Sequence, residues 1–111
     1  AGVNWVANDH ANSKTAVANM SLGATRGYSA SLDAAVIALQ ADGVSVVVAA
    51  GNEETYVGGT NYATPACTEG TISVGATRRD DQEAEFSNYG HGAWLCNQVG
   101  MANCSGRPQL P

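Results

Sequence analysis

The chain has 111 residues, enough for one small domain with its own core. Ten acidic residues against five basic ones give a formal charge of −5, and no basic run occurs. Nucleic acid and anionic membrane surfaces are therefore poor partners for it, and its longest apolar run is far too short to cross a bilayer.

Ala1-Gly2-Val3-Asn4-Trp5 lacks the basic head and long apolar stretch of a signal peptide. The missing initiator methionine points to a processed or truncated piece. Val3, Trp5, Val6 and Ala7 suit the last turns of a helix over Gly2 to Asn8, which Asn8-Asp9-His10 should end. Lys14 to Ser21 reads as a strand with Val17 and Ala18 inside, and Gly23 to Tyr28 as a polar loop.

The next segment carries the clearest helical pattern. Ser29 or Ser31 can cap its start, and Asp33 favours the positive end of the helix dipole. Leu32, Ala35, Val36 and Leu39 recur at three- and four-residue steps, giving one apolar face, and Gly43 supplies a left-handed stop. Val44-Ser45-Val46-Val47-Val48 is β-branched apart from one serine, the composition of a buried strand. Thr15 to Ala50 thus forms a βαβ unit with parallel strands and an expected right-handed crossover.

Parallel neighbours end on the same side, so Ser21-Leu22-Gly23 and Ala49-Ala50-Gly51-Asn52 should emerge at one rim, where open α/β sheets form ligand crevices. Two alanines and a glycine bare the backbone there. Asn52 then adds an uncharged amide donor, suited to an extended peptide or to developing negative charge. A turn asparagine capping the next loop is the plainer alternative.

Beyond Asn52 a long polar loop contains Gly58-Gly59, and Thr71 to Ala76 reads as another strand. Asp80-Asp81 should form a turn before a short strand over Ala84 to Ser87. From His91 onward Gly, Asn, Cys and Pro dominate without periodicity. A divergent insert, or a splice or frame error, would look like this. No internal repeats occur.

Three segments in register, Ala18-Asn19-Met20-Ser21-Leu22-Gly23, Ala49-Ala50-Gly51-Asn52 and Glu85-Phe86-Ser87-Asn88-Tyr89-Gly90, resemble the middle of the catalytic domain of subtilisin-like serine proteases, nearest the proteinase K-like branch. The resemblance runs from about Ala1 to Gly90. It implies an α/β fold: a partial parallel-sheet, three-layer arrangement with one βαβ unit and an irregular C-terminal tail. Residues 1–90 would be a partial peptidase domain and residues 91–111 a divergent tail.

The resemblance also implies roles. Asn52 would donate its side-chain amide to the tetrahedral oxyanion. Ser21, Leu22, Gly23, Ala49, Ala50 and Gly51 would line the primary specificity pocket and hold substrate backbone as an added strand. The plainer reading of these small residues is tight strand packing. A peptide or protein substrate, an extracellular setting and a missing remainder of the catalytic domain follow from the same likeness. The family's aspartate and histidine motifs, and its Gly-Thr-Ser-Met-Ala serine motif, do not occur in the chain. The piece is therefore expected to be inactive alone. A non-catalytic peptide-binding module is the alternative, and a nucleotide-binding protein ranks below both because no G-x-G-x-x-G or Walker loop appears.

The remaining chemistry-bearing residues have ordinary readings. His10 beside Asp9 suits a helix end, and His91 in Gly90-His91-Gly92 lies downstream of Asn88 without the family's Thr-His continuation. Neither suggests a self-contained triad. Glu53-Glu54 and Asp80-Asp81 could bind calcium, which braces many family members, but adjacent loop acids are usually just solvated. Where the proteinase K-like branch carries an aspartate ligand this chain has Trp94, so no cofactor is expected. Cys67, Cys96 and Cys104 are odd in number, and the Cys96–Cys104 spacing matches no common zinc site. A disulfide within the tail, or pairing with sequence outside the chain, suits an extracellular relative better. Asn103-Cys104-Ser105 fits a glycosylation sequon, as does Asn19-Met20-Ser21, although the latter is expected in a buried strand.

Overall fold

The computed structural model describes residues 2–10, 15–23, 28–57 and 63–89. Five elements follow in chain order: helix α1 (Gly2–His10), strand β1 (Val17–Met20), helix α2 (Ala30–Ala41), strand β2 (Ser45–Ala49) and strand β3 (Ile72–Val74). The proposed tail at 91–111, with His91, Trp94, Cys96 and Cys104, lies outside the described residues.

The three strands form one sheet in the order β1-β2-β3, parallel throughout. Val17 to Met20 pair with Ser45 to Val48, and Val47 to Ala49 pair with Ile72 to Val74. This is the expected βαβ unit with a third parallel strand added.

Local chemistry explains where α2 begins and ends. Ser29 is the N-cap, its hydroxyl accepting from the Leu32 N–H at 3.3 Å, and Asp33 occupies the first turn. Gly43 leaves the helix at φ +91, a conformation in which a side chain would be strained. The Gly43 and Val44 N–H groups donate to the Gln40 and Leu39 carbonyls, closing the last turn.

Side chains alternate along each strand, and this sorts the sheet into two faces. Ala18, Met20, Val46 and Val48 point to the covered face, where Val36 and Leu39 of α2 are wholly buried. Each such aliphatic side chain contributes about 1.5–3 kcal/mol relative to exposure. Val3, Val6 and Ala7 of α1 pack against the same cluster. The other face carries no helix among the described residues, and Val17, Ile72 and Val74 stand half exposed or more.

Four expectations change. Val17, expected inside, is 70% exposed, because Ala18 and Met20 take the covered face and alternation turns Val17 outward. Asn19 faces outward for the same reason, so its strand is not buried on that side. Ala84 to Ser87 is a turn, not a strand: Ser87 N–H donates to the Ala84 carbonyl at 2.9 Å, and among the described residues the nearby pairing is an isolated Thr77–Glu83 bridge.

The fourth change concerns the loop after Asn52, which is not polar surface at its far end. Ala63, Thr64, Ala66, Cys67 and Thr68 are buried. They are drawn down onto α2: the Thr64 hydroxyl accepts from the Ser29 N–H at 3.1 Å, the Thr68 hydroxyl donates to Asp33 at 2.7 Å, and the Gln40 amide donates to the Glu69 carbonyl at 2.8 Å.

The two faces should respond differently to substitution. Leu39→Ala should cost about 2–5 kcal/mol in urea unfolding. Val17→Thr should change stability by less than about 0.5 kcal/mol and reduce light scattering, since it blunts an exposed apolar edge strand. Equal losses at both positions would contradict the assignment of faces.

Candidate active-site corner

β1 and β2 both end at the same rim, and the chain turns away from the sheet there. Ser21, Leu22 and Gly23 leave β1, while Ala49, Ala50, Gly51 and Asn52 leave β2. All seven line a single cavity of about 210 Å³, together with Glu53, Ala63 and Ala66. The first seven were legible in the sequence, but Ala63 and Ala66 were missed. They come from a segment that reads as polar loop, and Pro65 between two small residues was the one available signal.

The cavity is bounded mainly by backbone and methyl groups, with Glu53 the one charged lining residue among the described residues. Ala50 is still tied to the sheet, its N–H donating to the Val74 carbonyl at 2.9 Å. Gly51 is the first residue beyond the ladder, at φ +111. Leu22 and Gly23 have no backbone hydrogen-bond partner among the described residues, so this edge is open to another extended chain.

Asn52 is exposed, and its own N–H donates to the Glu53 carboxylate at 3.0 Å. Nothing among the described residues hydrogen-bonds its side-chain amide. The chemistry available is a fixed backbone bearing one uncommitted N–H₂ donor beside a small-walled cavity. Such a corner can hold an extended chain, accept a side chain and donate to an oxygen that gains negative charge.

The turn behind Asn52 is held by a residue the sequence reading did not single out. Asn88 is completely buried, and its side-chain amide bonds the Ala50 carbonyl, the Glu53 carboxylate and the Glu53 and Thr55 N–H groups. Its place within Ser87-Asn88-Tyr89 was visible, but its task was not, because its partners lie 33 to 38 residues away.

Among the other candidates Glu53 lines this corner, while His10 and Asp80 belong elsewhere. His10 closes α1, and Asp80 is tied to Arg78 at 3.2 Å on the surface. Among the described residues, no three His, Cys, Asp or Glu side chains gather where they could hold a metal ion.

Cys67 lies buried in the segment behind Ala66. Burial pushes its thiol above the ordinary value of 9.0, a hydrogen bond from the Ala63 N–H at 3.3 Å pulls it down, and the Asp33 charge raises it further.

Comparison with known proteins agrees with the fold. The sequence profile of the Subtilase family matches residues 1–100. An extracellular serine proteinase of Thermus sp. (strain Rt41A) is 47% identical over 90 residues, covering 81% of this chain and 20% of the relative. Proteinase R of Parengyodontium album is 45% identical over 92 residues, covering 80% of this chain and 22% of the relative. The crystal structure of a cold-adapted subtilisin-like serine proteinase superposes with a TM-score of 0.72 at 39% identity, covering 83% of this chain and 31% of that one. The chain thus spans about a fifth of the length of these curated relatives.

The raised thiol carries a pH dependence. The folded chain holds the Cys67 proton more tightly than the unfolded chain, so this contribution is complete below the ordinary value of 9.0 and is lost as pH rises through the higher folded value. The urea midpoint should therefore fall over the interval above the ordinary value of 9.0. Cys67→Ala should show a smaller fall over the same interval, and an unchanged slope would contradict the burial argument.

Proposed function

The chain belongs to the subtilase family, and on that premise we propose that it forms the substrate-binding wall and oxyanion corner of a secreted serine endopeptidase. The observation that carries this reading is the meeting of Ser21–Gly23 with Ala49–Asn52 around one cavity, with the Asn52 amide left uncommitted.

In this reading a substrate peptide lies against Leu22 and Gly23 as an added strand, exchanging backbone hydrogen bonds with groups that otherwise face water. One substrate side chain enters the cavity, where methyl groups and bare backbone leave room for a sizeable apolar group. The scissile carbonyl then sits beside Asn52. As it becomes tetrahedral its oxygen gains negative charge, and the Asn52 N–H₂ donates to it without reorganising. The magnitude known for such a donor in a subtilisin, about a hundred- to a thousandfold in turnover, is borrowed from that relative.

The nucleophile and its base are not part of this corner, and none of the family's three triad motifs occurs in the 111 residues. The chain alone therefore binds but does not cleave, and the complete protease supplies the reacting groups. An extracellular setting is supported by the Thermus relative, an extracellular serine proteinase.

Two measurements test the reading. The 111-residue chain should release no product from a chromogenic peptide; turnover abolished by an active-serine reagent would overturn the division of labour. In the complete protease, Asn52→Ala should lower kcat about a hundred- to a thousandfold with little change in KM. Unchanged kcat would remove Asn52 from the oxyanion role. Peptide affinity in a complete protein that has no turnover at all would favour the binding-module alternative.

A further inference from the structure

Asn88 has more bonds to the Asn52 turn than any packing requirement calls for. A carboxamide offers two N–H donors and two oxygen lone pairs. The Nδ2 group donates to the Ala50 carbonyl at 2.9 Å and to Glu53 Oε2 at 2.6 Å. Oδ1 accepts from the Glu53 N–H and the Thr55 N–H, each at 3.0 Å. All four positions are used, and every partner belongs to the stretch Ala50–Thr55. Asn88's own backbone N–H adds a fifth bond, to the Gly51 carbonyl at 3.1 Å.

The pattern brackets Asn52 without touching its side chain. Ala50 and Gly51 are held before it, and Glu53 and Thr55 after it. Its own N–H is held by Glu53 Oε2, the same oxygen that Asn88 Nδ2 holds. The backbone on both sides of Asn52 is thus fixed while its amide stays available.

Gly51 is the partner that makes this approach feasible. A Cβ there would stand 2.2 Å from Asn88 Nδ2, so any side chain at position 51 would expel the amide. The bare backbone at Gly51 therefore serves the clamp behind the turn as well as the cavity in front.

We propose that Asn88 is the positioning residue for Asn52, its buried carboxamide fixing the turn that aims the oxyanion donor. This rests on the reading of Asn52 given above. Donors act on a developing charge in proportion to their alignment, and a loosened turn would lose that alignment without losing the pocket that binds substrate. Asn88 would thus act on turnover and only through Asn52.

A double-mutant cycle in the complete protease separates this from simple structural support. Asn88→Asp keeps the shape and the accepting oxygen but removes both N–H donors and sets a carboxylate against Glu53. It should lower kcat by about tenfold or more with KM changed less than about threefold. In an Asn52→Ala background the same substitution should change kcat by less than about twofold, because the group it positions is gone.

Additive losses in the two backgrounds would overturn the proposal while leaving Asn52 in its role. Asn52→Ala without effect on kcat, or a wild-type protein without turnover, would instead defeat the underlying reading and the proposal with it. Should Asn88→Asp fail to fold, amide exchange in the wild-type protein decides. The Glu53 and Thr55 N–H groups, which have Asn88 Oδ1 as acceptor, should exchange as slowly as those of β2. Rapid exchange at both would overturn the clamp.

Discussion

Parallel pairing of β1 with β2 is the constraint on which the rest depends. Registering Val17–Met20 against Ser45–Val48 makes both strands end at one rim, so two loops 26 or more residues apart in sequence become neighbours (Ser21 to Asn52, Gly23 to Ala49). An antiparallel arrangement of the same strands would have sent these loops to opposite ends of the sheet. The α2 crossover enforces the choice, since parallel strands need a long connection and a helix with Val36 and Leu39 on one face supplies it.

With the rim established, composition does the remaining work. Strand ends made of alanine and glycine leave a cavity where larger residues would have filled it. Its far wall, Ala63 and Ala66, is delivered by a segment with buried threonines that hydrogen-bond along α2. Each of these buried hydroxyls has a partner, so burial does not carry the roughly 1–3 kcal/mol cost of an unsatisfied polar group.

Asn88 shows the same logic in a more concentrated form. Loops usually run over the surface because buried backbone groups must otherwise go unpaired. Here one buried carboxamide satisfies the Ala50 carbonyl and two N–H groups of the turn at once. The turn can therefore be rigid while Asn52, at its tip, remains exposed. Rigidity and availability coexist because they belong to different atoms.

The α2 boundaries, the parallel βαβ unit and the convergence of Ser21–Gly23 with Ala49–Asn52 were determined by the sequence itself, because caps, apolar periodicity and β-branched runs are local signals. Only the tertiary structure decided which strand face is covered, sending Val17 outward, and turned the stretch from Ala63 to Thr68 into a buried wall. It alone also gave Asn88 its five bonds to the Asn52 turn. Faces and long-range hydrogen bonds depend on which distant groups arrive as neighbours, and no window of adjacent residues contains that information.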